Sequence, residues 1–300
     1  MRQKIITVLC VLISAYFLVP SSYASTGTYA MSFSELISNP FTASLANTVT
    51  AANNANAIYI NPASLISHNN RHISAQIFKY VENIEYKQFQ MIQPYLDGNI
   101  SLSYTWLSYG DYNQTTWVDK DGGESGIISN KGSLLNISYA RLLLNTNFGI
   151  SAKYYEEVLA SYKSKALSID LGLQKKIKDN LDLGLSISNL AIQNVSFLND
   201  ASYLRKAARL GVQYRPKLLK NKFVLLTDYV YLRDKSSFSY AGIIHLHKKL
   251  SIRLGSNKLS DLFNLSMGVG IKLGTLDMDF SYKNVADFSD VYRIQVGVKF

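Results

Sequence analysis

From residue 263 to the C-terminus the chain repeats with a period of two. Phe263, Leu265, Met267, Val269, Ile271 and Leu273 alternate with polar residues and glycine. After Gly274 the register restarts, and Leu276, Met278, Phe280 and Tyr282 alternate with Asp277, Asp279, Ser281 and Lys283. Tyr292, Ile294, Val296, Val298 and Phe300 then alternate with Arg293, Gln295, Gly297 and Lys299. A period of two is the side-chain repeat of a strand, not of a helix. Each strand has one apolar face and one polar or small face over about ten residues, close to the length of a tilted strand crossing a bilayer. Alternating strands also build soluble sandwiches. A series of them that closes on an aromatic C-terminal residue fits a transmembrane β-barrel better.

The N-terminus supports export. Arg2 and Lys4 precede an apolar run, Ile5 to Val19, and Ser22-Tyr23-Ala24 reads as a small-x-small cleavage site. Residues 1–24 are therefore expected to be a signal peptide. The only cysteine, Cys10, lies inside it, so the exported chain is expected to form no disulfide and no thiol metal site. No later stretch reaches the length of a transmembrane helix. The chain holds 31 Lys and Arg against 21 Asp and Glu; without Arg2 and Lys4 the balance is 29 against 21, or +8. With 21 Tyr and 13 Phe, this composition suits a barrel with an apolar outside, a polar inside and aromatic girdles. A basic exported chain without a clustered basic groove is not expected to bind nucleic acid.

Residues 25–71 differ from the rest: they are rich in Ala, Asn, Ser and Thr and lack clean alternation, with a short helix expected near Ser32 to Ile37. Small, mildly polar side chains suit a polar lumen better than lipid. Within this segment Asn53-Asn54-Ala55-Asn56-Ala57-Ile58-Tyr59-Ile60-Asn61-Pro62-Ala63-Ser64-Leu65 resembles the N-terminal signature of the FadL-type outer-membrane transporter superfamily, most closely its PorV/PorQ-like branch. Asn53 and Asn54 stand where that signature has an acid, and Ser64 where it has Gly. The Gly-rich run that normally precedes it is reduced to Thr42-Ala43-Ser44-Leu45-Ala46. The resemblance implies that residues 25–71 form a plug, or hatch, in the lumen of a barrel spanning residues 72–300. It points to Asn54, Asn56, Tyr59, Asn61, Pro62 and Leu65 as gate residues. Asn-Pro alone would also make an ordinary turn.

Beyond residue 71 the pattern predicts an all-β antiparallel barrel of about 14 strands. The strands are expected at 72–80, 86–95, 99–113, 132–143, 147–163, 165–177, 181–191, 204–215, 222–233, 238–247, 250–256, 263–273, 275–284 and 290–300. Those at 72–80, 86–95 and 222–233 alternate poorly, and Pro94 must sit at a strand end. Merging or splitting a pair there would give about 12 or 16. Alternate connections are short, down to Gly274 alone and Lys248-Lys249, while the others, such as 114–131 and 192–203, are mostly longer; the six-residue connection Pro216–Asn221 among the short ones and Ser164 alone among the long ones are exceptions. Short turns on one side and long loops on the other are the pattern of an outer-membrane barrel. Lysines and arginines cluster at the short turns, including Lys175, Lys176, Lys178, Lys248 and Lys249, whereas the loop Asp119 to Glu124 is acidic. These turn cations either dock an acidic periplasmic partner or simply keep the turns soluble.

No catalytic constellation is evident, so an enzyme is not expected. His245 and His247 share one strand face but lack a third metal ligand, and are read as polar lumen residues. No Gly-x-Ser-x-Gly and no phosphate-cradling Gly loop occurs. No cofactor is implied. The third strand alternates up to Trp106 and then loses phase, so Gly110-Asp111 is either a bulge that opens the wall or the end of a strand in a loop. Three function classes follow: a channel for hydrophobic small molecules such as fatty acids, gated by the plug; a PorV-like outer-membrane component that anchors or shuttles secreted proteins; and a structural barrel. The first is preferred because the external loops offer little surface for a protein cargo. The expected partners are outer-membrane lipid and a hydrophobic solute, with a periplasmic or secreted protein under the second class.

Overall fold

The computed structural model describes residues 29–36, 38–80, 84–123, 125–192, 195–197, 200–217, 222–232, 236–257, 264–284 and 290–300. The expected signal peptide with Cys10, the start of the strand at Phe263, and Glu124 lie outside these residues. The barrel strands are β1 His72–Lys79, β2 Glu85–Tyr95, β3 Gly98–Asn113, β4 Ile127–Leu143, β5 Thr146–Leu159, β6 Tyr162–Lys178 and β7 Leu181–Ala191. They continue with β10 Ala207–Tyr214, β11 Phe223–Leu232, β12 Ser236–His247, β13 Leu250–Asn257, β14 Asn264–Leu273, β15 Leu276–Lys283 and β16 Val291–Lys299. Two short strands, β8 Val195–Phe197 and β9 Asp200–Ser202, form a separate hairpin in the loop after β7.

The 14 strands close into one antiparallel barrel, each pairing with its sequence neighbour and β1 pairing with β16. Closure removes the unpaired sheet edges that would otherwise invite aggregation. One end of the barrel, the turn end, carries both barrel termini and the tight turns at Leu96-Asp97, Leu144-Asn145, Asp179-Asn180, Lys248-Lys249 and Gly274-Thr275. Leu96, Leu144, Asn145 and Gly274 supply the left-handed backbone these turns need. The opposite, loop end carries the longer connections.

The outward faces form an apolar belt. Ile77, Phe89, Leu102, Trp106, Ile137 and Ile150 are each more than two-fifths exposed, and Leu210, Leu225, Leu254, Ile294 and others continue the belt round the wall. Leaving each such side chain in water would cost about 1.5–3 kcal/mol, so the belt is a face built for lipid. Near the loop end Tyr104–Trp106, Tyr229–Phe238 and Tyr282–Tyr292 pair on the outside at 4.4, 5.0 and 5.4 Å, forming part of an aromatic girdle. Among the described residues no helix is long and apolar enough to cross a membrane.

Three boundaries differ from the sequence-based expectation by three residues or more. The turn expected at Ser164 lies at Ala160-Ser161, where Ala160 takes φ 54° and its N–H donates to Asn130 Oδ1 at 2.7 Å. Strand β4 begins at Ile127, five residues early, because it pairs with the end of β3 beyond a bulge. The strand expected from 204 begins at Ala207. Poor alternation in β11 also has a cause: Val224, Leu226, Val230 and Leu232 face inward and are buried, while Leu225 and Tyr229 face outward. Both faces are apolar because the inner one packs on the N-terminal segment.

The described residues of 29–71 pack against the inward-facing side of the wall. The one-turn helix Pro40–Ser44 packs against β13 to β16, the 3-10 turn Pro62–Ser67 packs against β3 to β6, and Thr50 bonds to β11. A segment that touches inward-facing residues from around the whole wall lies inside it. Its first described residues meet the loop end, where Ala30 N–H donates to the Tyr203 carbonyl at 3.0 Å. The segment leaves at the turn end to begin β1.

Candidate functional site

The site is the seam between this hatch and the barrel wall. Short local caps hold the hatch in shape. Asn39 Oδ1 accepts from Thr42 N–H at 2.9 Å, and Asn39 Nδ2 donates to the Asn56 carbonyl at 2.6 Å, tying the helix to the turn Ala55–Tyr59. Asn54 caps that turn by accepting from Asn56 N–H at 2.9 Å, and Asn61 caps the next by accepting from Ala63 N–H at 3.1 Å. Side-chain oxygens of Asn at these positions satisfy donors that a short turn cannot.

Asn61 also ties the hatch to the wall. Its Nδ2 donates to the Thr50 carbonyl at 2.7 Å and to the Leu173 carbonyl of β6 at 3.1 Å. Pro62 lies against the glycines of β5 and β6. Four inward glycines on adjacent strands, Gly149, Gly172, Gly184 and Gly211, bring the wall flush with the hatch; an added Cβ at any of them would approach hatch atoms of Thr50 or of Asn61 to Ala63 to under 3.0 Å. Gly149 pairs directly with Gly172, and Gly184 with Gly211. Asp228 of β11 completes the seat, accepting from Thr50 N–H at 3.0 Å and Thr50 Oγ1 at 2.7 Å. Gln174 Nε2 donates to the carbonyls of Thr50 and Ala52, and Asn99 Nδ2 to that of Leu65 at 2.9 Å.

The expected gate residues divide between an apolar cluster and a polar chamber. Tyr59 and Leu65 are buried in an apolar cluster with Met31, Phe33, Ile58, Phe78, Tyr86 and Tyr155, between the hatch and the wall. Asn54 and Asn56 line a chamber of about 340 Å³ at the turn end. Asn61 and Pro62 sit between the two. His245 and His247 both line the turn-end chamber, although the strand bulges between them.

Away from the turn end the described wall has two breaks in pairing, while two more register shifts, at Lys176/Lys178 and His245/His247, lie beside the turns. The β3–β4 register shifts between Ser108 and Asp111, with Gly110 at φ 92°. This bulge lies at the loop-end rim, past the last β2–β3 pair of Glu85 with Ser108. A second break, not expected from the sequence, falls between β6 and β7, where Ser188 and Asn189 oppose Asp170 alone. Asn189 takes φ 59°, its N–H donates to Asp170 Oδ1 at 2.8 Å, and Tyr155 Oη donates to Asn189 Oδ1 at 3.0 Å. Asp170 also holds Lys153 in a buried ion pair. Signals for the missed residues were present. Asp228 is the one acid in the apolar run Phe223–Leu232, and Leu171-Gly172-Leu173, Leu183-Gly184-Leu185 and Leu210-Gly211-Val212 repeat one small residue within apolar strands.

Fold and site together define a class: a lipid-facing 14-strand barrel whose lumen is filled by its own N-terminal segment. Solved transporter and channel structures share the barrel fold. The Ralstonia pickettii toluene transporter TbuX aligns with a TM-score of 0.62 at 11% identity over 87% of this chain and 98% of its own. CymD, a monoaromatic hydrocarbon channel, aligns at 0.60 with 12% identity over 88% and 97%. A Pseudomonas aeruginosa FadL homologue aligns at 0.58 with 9% identity over 88% and 98%. No protein-family model matches the chain, and no curated protein matches it by sequence.

Proposed function

We propose that the chain is an outer-membrane channel of the FadL type that passes small hydrophobic molecules, such as fatty acids, with residues 25–71 as its gate. The observation that carries this reading is the apolar cluster between hatch and wall. A porin lumen is polar and water-filled, whereas here Phe33, Tyr59, Leu65, Phe78, Tyr86 and Tyr155 meet inside the barrel. A shift of the hatch about Asn61 and Pro62 would open an aromatic-lined passage suited to an apolar solute. The fold shared with toluene and monoaromatic hydrocarbon channels supports the same substrate class. Export by the expected signal peptide in residues 1–24 and the lipid-facing belt support the outer-membrane location.

For exit through the wall, Gly110 and Asp111 would release solute at the loop-end rim, and the β6–β7 break would release it within the wall. The PorV/PorQ-like reading, an anchor for exported proteins, shares the fold but gives the lumenal apolar cluster no role.

Native mass spectrometry with lipid extraction of protein purified from its own outer membrane in mild detergent separates these readings. The channel predicts a co-purified apolar molecule that is lost on Asn61→Ala combined with Pro62→Ala. A co-purified protein without an apolar molecule would sink the channel in favour of the secretion anchor.

A further inference from the structure

The turn-end chamber is strongly cationic. Six cations, Arg215, Lys248, Lys249, Arg253, Lys272 and Lys299, line it against two carboxylates, Asp277 and Asp279. All four histidines of the chain, His68, His72, His245 and His247, line it as well. Both carboxylates are engaged: Asp277 with His72 Nε2 at 2.9 Å, and Asp279 with Arg253. Arg215 is paired with Asp182 at 2.6 Å. Among the described residues Lys248, Lys249, Lys272 and Lys299 have no carboxylate within ion-pair distance.

The histidines come from separate elements: His68 from the hatch, His72 from β1 and the other two from β12. Two further buried polar atoms point to an occupant. His72 is 98% buried and Arg253 99% buried, yet His72 Nδ1 and Arg253 Nε have no hydrogen-bond partner in the protein. Both side chains line the chamber. Converging cations without a counter-charge repel one another, and low-dielectric walls focus their field on the recess they line.

We propose that the turn-end chamber binds a phosphate group, free or as the head of a phosphate monoester. A monocarboxylate would offset one of the four unpaired lysines, whereas a phosphate monoester carries about −1.5 to −2 charges and three strong acceptor oxygens. Lysine ammonium and imidazole N–H groups match those oxygens as charge-assisted donors. The chamber volume of about 340 Å³ lies at the lower end of the ~300–1,000 Å³ usual for ligand sites, so it admits a head group with a short organic body. The proposal goes beyond passage of apolar solutes and does not depend on it: the cations and histidines that line the chamber are not part of the apolar cluster.

The test is isothermal titration of the full chain, in a non-ionic detergent and phosphate-free buffer, with inorganic phosphate, hexyl phosphate and acetate. Saturable binding of phosphate is expected, with acetate at least tenfold weaker. Binding of hexyl phosphate without inorganic phosphate would support the site and assign it to an amphiphile's head group. Lys272→Gln with Lys299→Gln should weaken binding at least tenfold while heat-modifiability on a gel persists. Lys248→Gln with Lys249→Gln, in an exposed turn, gives a second reading should the first variant fail to fold. No saturable binding of either phosphate, equal affinity for acetate, or unchanged affinity in these variants would overturn the site and leave the channel reading untouched.

Discussion

Asp228 and Thr50 show how single residues hold the hatch down. Thr50 N–H is buried beside the wall, and its acceptor is the Asp228 carboxylate. Removing that acceptor leaves a buried donor unsatisfied, at about 1–3 kcal/mol. Asp228→Ala is therefore expected to loosen the hatch while the barrel persists, seen as faster amide exchange over residues 47–52 with unchanged heat-modifiability. Gly184→Ala acts by overpacking. Its Cβ would meet the Thr50 carbonyl and Ala51 Cα, which are backbone atoms that cannot rotate away. A cost of about 1–3 kcal/mol is expected, read as hatch cleavage by a protease to which the wild-type fold is resistant. Protection equal to wild type would contradict the flush seat. At this scale the sequence was partly legible. The Asn61-Pro62 pair stood out through its signature, but its link to glycines more than a hundred residues away depends on which inward positions become neighbours in a closed barrel. That requires the register of every strand between them.

At the scale of elements, period two located the strands well because alternation reports burial on one face directly. It failed where both faces are apolar. Strand β11 packs Val224 and Leu226 on Phe41, Leu45 and Val49 of the hatch, so its inner face reads like its outer one. Strands β1 and β2 lose contrast in the same way at Phe78, Tyr86 and Ile92. The β6–β7 bulge was invisible because Asn189, which adopts a left-handed backbone, is flanked by residues that fit a regular strand. The hatch's last turn, Pro62–Ser67, ends on His68, and there pH acts. Burial, then the neighbouring His72, Lys299 and Lys272, outweigh Asp277 and lower the His68 pKa from 6.5 to about 4. Between those values the released segment binds more protons than the docked one, so docking strengthens as pH rises through the window, is complete above it and is lost as pH falls toward 4. Amide exchange over residues 62–68, corrected for intrinsic rates, is expected to be faster at pH 5 than at pH 7.5, and His68→Gln should remove most of the difference. Equal protection at the two pH values would show that His68 does not couple to docking.

The whole molecule is a closed wall with a fitted interior. Strand count, turn asymmetry and lipid-facing stripes were all legible because they are periodic along the chain. The two-sided lumen was not, since it arises from folding residues 29–71 back inside the wall: an aromatic compartment toward the loop end, a cationic chamber at the turn end, and Asn61 between them. Passage through such a lumen requires the hatch to move relative to the wall. Residues after the expected signal peptide contain no cysteine, so an engineered pair gives a single, reversible tether. The most direct measurement is uptake of a hydrophobic solute by cells carrying Thr50→Cys with Asp228→Cys, positions whose native side chains bond at 2.7 Å, with formation of the disulfide verified on a non-reducing gel. Gated passage predicts that uptake falls to the level of cells lacking the protein under oxidation, and returns on reduction. Uptake that is the same with the tether closed and open would contradict the hatch as gate.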